Sequence, residues 1–234
     1  GVVRTLDETS KQLIKLGYEV NYITPKEFLT LPCPTYPEIR LSIFPRIKVA
    51  SIIREVNPDF IHIATEGPLG LAARGYAVRN DLSFTTAYHT RFPEYVYKRI
   101  KIPLKITYFF LRWFHSKSKL VMVPTNEVKK DLTKWKIGKP KIWARGVDLK
   151  LFKPKKGRKR NKNPILLNVG RVSIEKNLEA FLDLDLPYEK WVVGDGPALN
   201  FLRKKYPHVV FFGNKNKEEL EYYYNKADVF VFPS

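Results

Sequence analysis

Two short stretches in the C-terminal third of the 234-residue chain carry the residue types that hold a diphosphate. Asn168-Val169-Gly170-Arg171 is followed five residues on by Lys176, and Gly194-Asp195-Gly196-Pro197 comes after it. A guanidinium forks two phosphate oxygens and a lysine ammonium adds a compact point charge, so Arg171 and Lys176 make a suitable clamp for a pyrophosphate. Glycine just past a strand end lets backbone N–H groups come close to an anion, a role open to Gly170, Gly194 and Gly196. Each stretch also has a plainer explanation: an exposed arginine after a turn, and a tight strand-to-helix turn with Pro197 at the first helical position. The Gly-x-Gly lacks the third glycine of a dinucleotide fingerprint and its ribose-binding acid, which argues against a nicotinamide oxidoreductase.

In the first half of the chain, Glu66-Gly67-Pro68 and Tyr88-His89-Thr90-Arg91-Phe92 each directly follow an apolar run of strand length. Residues there leave the sheet at its carboxyl edge, where open α/β sheets bind ligands, so Glu66, Gly67, Tyr88, His89 and Arg91 are expected to face a crevice. His62, His115 and His208 lack such neighbours and are read as structural. Asp183-Leu184-Asp185 has a pattern that can hold a divalent metal under a diphosphate. It falls at a helix end before Pro187, where an exposed cap is the better reading, and no metal is expected.

The elements that must position these residues follow from periodicity. Apolar runs of strand length alternate with helical patterns, as in βα units on a parallel sheet. Strands are expected at 18–24, 59–64, 83–88, 120–123 and 141–144, with helices at 3–16, 46–56, 68–78, 103–115 and 126–135. Gly17 reads as a glycine closing the first helix, Asn126 as an N-cap, and Pro68 and Pro103 as first-turn prolines. Residues 153–163 contain only lysine, arginine, asparagine, proline and glycine, the composition of a linker. Alternation then resumes with strands at 165–169, 190–193, 209–212 and 229–232 and helices at 175–182, 199–206 and 217–226. Two domains are expected, 1–152 and 164–234. The chain opens on a helix with no leading strand and stops just after a strand, so it reads as cut at both ends.

Composition narrows the setting. No run of about 18 apolar residues and no export signal is present, and one cysteine, Cys33, cannot form an internal disulfide, which together suit the cytoplasm. The net charge of +19 is concentrated: residues 98–162 hold 22 lysines and arginines against three acids, and the rest of the chain balances. Within that segment Ile106, Phe109, Phe110, Trp113 and Phe114 share one helical face, with Lys101, Lys105 and Arg112 alongside. A basic amphipathic helix with aromatics suits an anionic bilayer surface, and core packing of the aromatic face is the competing explanation. The basic segment also raises nucleic-acid binding as an alternative of another class, but no reader module accompanies it and none is expected.

Six stretches, in this order and spacing, resemble family 4 glycosyltransferases: Gly1-Val2-Val3-Arg4-Thr5-Leu6; Tyr88-His89-Thr90; Arg145-Gly146-Val147-Asp148 with Phe152; Val169-Gly170-Arg171 through Glu175-Lys176-Asn177; Val193-Gly194-Asp195-Gly196-Pro197; and Ala227-Asp228-Val229-Phe230-Val231-Phe232-Pro233-Ser234. The resemblance implies an α/β protein of GT-B fold, with two facing Rossmann-like domains, that transfers a hexosyl group from a nucleotide diphosphate sugar with retention and without a metal or cofactor. It implies that Arg171 and Lys176 bind the donor diphosphate and that Gly194, Asp195, Gly196 and Pro197 line the donor site. His89 would reach the donor sugar from the other domain, Gly1 would belong to a glycine loop, and Gly213 would face a uridine or guanosine base. Glu66, Gly67, Tyr88 and Arg91 would then lie on the acceptor side. The family's acidic donor-binding pair would begin beyond Ser234, so the second domain is expected to be partial and the fragment inactive alone. Related enzymes glycosylate diacylglycerol or phosphatidylinositol, so the expected acceptor is a lipid at the inner face of the cytoplasmic membrane. A soluble or polysaccharide acceptor is the alternative.

Overall fold

The computed structural model describes residues 2–33, 36–89, 93, 97, 101–144, 146–155, 157 and 160–233. It divides into two units, Gly1–Arg145 and Gly146–Ser234. The first begins with α1 (Val2–Lys15), which ends in a left-handed turn at Gly17, where Gly17 N donates to Ile14 O and Tyr18 N to Leu13 O. A hairpin follows, β1 (Thr30–Cys33) against β2 (Tyr36–Ser42), antiparallel with a register shift at Pro32/Cys33. Then come α2 (Arg46–Val56), β3 (Ile61–Ile63), α3 (Pro68–Arg79), β4 (Phe84–Ala87), α4 (Leu104–His115), β5 (Val121–Val123), α5 (Asn126–Lys134) and β6 (Pro140–Ile142). Strands β3-β4-β5-β6 form one parallel sheet in that order.

The second unit holds β7 (Ile165–Val169), α6 (Leu178–Leu182), β8 (Glu189–Val193), α7 (Leu199–Lys205), β9 (Val210–Gly213), α8 (Lys217–Lys226) and β10 (Val229–Phe230). Its parallel sheet runs β10-β7-β8-β9. The chain therefore steps outward from β7 to β9 and returns to β7's other side, creating a topological switch between β7 and β10. Local signals explain the helices. Asn216 caps α8 by accepting from Glu219 N while Glu219 accepts from Asn216 N. Buried Lys190 on β8 donates to the carbonyls of Leu182, at 2.7 Å, and Leu184, closing the C-terminal end of α6.

Several expectations need correcting. Residues 18–24 alternate like a strand but join no ladder among the described residues; a strand exists only with a neighbour to pair with. Thr125, not Asn126, caps α5 through its side chain, and Pro103 is the N-cap residue of α4. The helix expected at 175–182 is a 3-10 turn, Ile174–Lys176, separated from α6 by Asn177 at φ +49. Pro197 precedes the N-cap of α7, Ala198, and lies outside the helix. The described residues of the 153–163 stretch are fastened to the second unit. Lys155 N donates to Asn225 Oδ1, and Asn161 Nδ2 to Lys226 O and Asp228 Oδ2, so polar composition here marks a strap with side-chain and backbone partners.

The aromatic segment divides between two environments. In α4, Tyr108, Leu111 and Phe114 are buried, with Tyr88, Val121, Val123 and Leu132 packed against the first two and Phe84 against the third. Ile106, Phe109 and Trp113 are 59%, 68% and 46% exposed, with exposed Lys105 and Arg112 beside them in sequence. The helix is fixed at its end by Arg74 of α3, which is almost wholly buried. Its Nε donates to Phe114 O at 2.7 Å, one Nη to Trp113 O at 2.8 Å, and the guanidinium lies 4.1 Å over the Trp113 ring. Burial pushes the Arg74 pKa down from its ordinary value. Charge-assisted bonds to orphan helix carbonyls are among the stronger contributions to stability. Arg74→Ala should therefore destabilise the protein by about 3 kcal/mol, read as a lower urea midpoint with unchanged slope.

Candidate functional site

At the carboxyl edge of the second sheet, the loops after β7, β8 and β9 are bonded to one another through their backbones. Gly170 N donates to Val193 O, Val172 N to Asp195 O, Gly194 N to Gly213 O and Ala198 N to Val172 O. Two glycines make this possible. A Cβ on Gly194 would stand 1.8 Å from Gly170 O, and one on Gly196 would stand 2.3 Å from Val172 O; their φ values are +142 and +157. The Gly-x-Gly pattern is thus required first by loop-on-loop packing. Gly170 and Gly213 differ, because a Cβ at either would meet nothing within 4 Å. Asp195 is exposed and its Oδ1 accepts from Gly196 N at 2.6 Å.

The cations occupy the switch point. Half-buried Arg171 follows β7 directly after Gly170, and Lys176 ends the 3-10 turn with its Nζ 5.3 Å over the exposed Phe232 ring beyond β10. Two asparagines tie β10's extension to this corner: buried Asn168 donates to Val231 O at 2.8 Å, and Asn177 to Pro233 O at 3.5 Å. Ser173, buried between Val172 and the turn, has an Oγ with no hydrogen-bond partner among the described residues. It was not singled out from sequence, where a lone serine before a helical pattern reads only as a cap.

In the first unit, Glu66 follows β3 and His89 follows β4, adjacent parallel strands, so both leave the same edge. Gly67 is the N-cap of α3 with Pro68 in its first turn. Tyr88 does not face a crevice. It is 2% exposed, packed among Tyr108, Leu111, Val121 and Val123, because side chains alternate across the sheet and its phase points inward. His89 is half-buried, its ring 6.3 Å from that of Trp143, which follows β6 and was missed by sequence reasoning. His62 meets the same indole at 5.9 Å. Crowding with loss of water, and secondarily the His89 ring, push the His62 pKa down to about 4 although part of its surface stays open. Gly1 and Arg91 lie outside the described residues. Asp183 accepts from Tyr206 Oη at 2.6 Å, as a helix-end carboxylate can, and no group of three His, Cys, Asp or Glu that could hold a metal ion occurs among the described residues.

The profile of Glycosyltransferase Family 4 matches residues 1–151, and that of glycosyl transferases group 1 matches residues 150–234. The chain belongs to glycosyltransferase family 4. Among its relatives, sulfoquinovosyl transferase SQD2 of Arabidopsis thaliana is 29% identical over 96% of this chain and 50% of its own length. A GDP-mannose-dependent alpha-mannosyltransferase of Corynebacterium glutamicum is 28% identical over 93% and 54%. The alpha-monoglucosyldiacylglycerol synthase of Streptococcus pneumoniae is 27% identical over 80% and 49%. The chain thus spans about half the length of the curated relatives it matches. A sucrose-phosphate synthase from Thermosynechococcus elongatus aligns with a TM-score of 0.62 at 21% identity, over 82% of this chain and 57% of that one, and shares the GT-B class of α/β fold. For this family 4 chain the loop contact gives a direct expectation. Gly194→Ala should destabilise the second unit by about 3 kcal/mol or more in a denaturant titration, whereas Gly170→Ala should leave its unfolding free energy within about 1 kcal/mol of the parent, because only the first forces backbone apart.

Proposed function

We propose that the protein to which this chain belongs transfers a hexosyl group, with retention, from a nucleoside diphosphate sugar to a lipid acceptor at an anionic membrane surface. Support for the donor comes from the switch-point corner. Arg171 and Lys176 follow β7 there beside open space at Gly170, so a diphosphate held at that edge would have a fork and a point charge in place of a metal to offset its developing negative charge. Gly194 to Pro197 would line the same donor site, and Gly213 would border the base. The mannosyltransferase relative's printed dependence on GDP-mannose supports the donor class. On the acceptor side, Glu66 would accept hydrogen bonds from acceptor hydroxyls and His89 would meet the transferred sugar. With no protein nucleophile assigned, the departing phosphate would take the acceptor proton. Replacing Arg171 or Lys176 by alanine in the full-length enzyme should lower kcat/KM by about a hundredfold or more, as loss of preorganised charge does, and unchanged turnover in both variants would remove the clamp.

The observation that carries the lipid acceptor is the outward face of α4. Three large apolar residues, Ile106, Phe109 and Trp113, stand exposed at helical spacing with Lys105 and Arg112 beside them, a combination a monomer in water gains nothing from. No helix among the described residues is long and apolar enough to cross a membrane, so contact would be peripheral. Two relatives carry sulfoquinovosyl transfer and monoglucosyldiacylglycerol synthesis in their names. Each lysine or arginine near an anionic leaflet contributes about 1 kcal/mol, so about four or five engaged side chains of this basic segment would give reversible binding without an anchor. The full-length protein should sediment with anionic vesicles and less with neutral ones, and salt should weaken the association. A variant with Ile106→Ser and Phe109→Ser, or with Lys105→Glu and Arg112→Glu, should remain in the supernatant. Equal sedimentation of both lipids and all variants would instead favour a soluble or polysaccharide acceptor.

A further inference from the structure

His115 closes α4 and exposes none of its surface. Its ring is wedged edge-on against Phe114 at 5.1 Å and Tyr88 at 6.4 Å, so it has one orientation. Nδ1 lies 2.8 Å from Oγ1 of Thr86, itself fully buried on β4. Nε2 lies 3.5 Å from Oε1 of Glu66, within ion-pair distance but outside hydrogen-bond geometry, and has no hydrogen-bond partner among the described residues. Glu66 keeps 19% of its side chain open on the loop between β3 and α3. The three residues thus form a line from the interior of the sheet to its carboxyl edge, and only the last has access to a ligand.

The imidazole could be replaced by a hydrocarbon if packing were all that mattered, since its surroundings are Phe114, Tyr88 and the sheet. A buried ring nitrogen is costly unless its proton or lone pair is met; Thr86 meets Nδ1, while Nε2 is left 3.5 Å from the Glu66 carboxylate, one short movement from a hydrogen bond. The Thr86 hydroxyl can donate to Nδ1, which leaves the ring proton on Nε2, the nitrogen beside the Glu66 carboxylate; the state of one nitrogen is set by the bond the other makes. We infer that His115 is a positioning residue for the acceptor site: through Thr86 it is locked as the Nε2–H tautomer and holds the Glu66 carboxylate in the orientation that receives the acceptor's hydroxyl groups. This rests on the acceptor-side role proposed for Glu66. It also gives α4 a second task, because the helix whose outer face would meet lipid ends on the residue that aims the acceptor loop.

Full-length enzyme carrying Thr86→Val, a near-isosteric change, or His115→Phe should show an acceptor KM raised about tenfold with the donor KM unchanged, the scale on which outer residues act through the group they orient. In a Glu66→Ala background neither substitution should add a further loss. Imidazole nitrogen NMR should report the Nε2–H tautomer for His115 in the parent and a tautomer mixture in Thr86→Val. An Nδ1–H tautomer, unchanged acceptor KM in both variants despite a raised value in Glu66→Ala, or full additivity with Glu66→Ala would overturn the positioning role. An acceptor KM unaffected by Glu66→Ala would instead overturn the acceptor-side role of Glu66, and with it the task assigned to His115. Loss of melting temperature with every KM intact would mark His115 as packing alone.

Discussion

Backbone contact without side chains sets the geometry of the carboxyl edge of the second unit's sheet. Gly194 and Gly196 lie so close to the carbonyls of Gly170 and Val172 that no other residue fits, and the loops after β7, β8 and β9 are consequently bonded into one layer. Arg171 follows that layer directly, and Lys176 ends the short turn that leaves it. Asn168 and Asn177 extend the same construction sideways to the residues beyond β10. A corner built in this way carries its two cations beside mutually bonded backbone.

The first unit solves a different problem. Its helix α4 must satisfy a core on one side while leaving a broad apolar and basic strip on the other, and helical periodicity allows both only if the two stripes are out of phase. Tyr108, Leu111 and Phe114 take the inner phase; Ile106, Phe109 and Trp113 take the outer one. The aromatic face recognised in sequence mixed the two, since Phe114 belongs inside and Trp113 outside.

Local signals were legible and long-range ones were not. Residues 46–56, 165–169 and 217–226 fold over the ranges that their periodicity announces. The hairpin of β1 and β2 was missed because Pro32, Pro34 and Pro37 argue against an interior strand, whereas an isolated two-stranded ladder tolerates proline at its edges. The break at Asn177 depends on a left-handed residue that pattern alone does not mark. At the site, the glycine-rich loop and the cations were visible by residue type and by their place after strands. Trp143 and the line from Thr86 to Glu66 were not, since each joins residues far apart in sequence, and Tyr88 was misplaced by one step of the strand's alternation.

Arg74 gives these arrangements a mechanical consequence. By gripping the last carbonyls of α4 and lying against the Trp113 ring, it cross-links α3 to the C-terminal end of α4. A force on the exposed face of α4 would therefore be shared with α3, whose first turn begins at Pro68 after Gly67. Tilt of that outer face would then be coupled to tilt of the loop between β3 and α3.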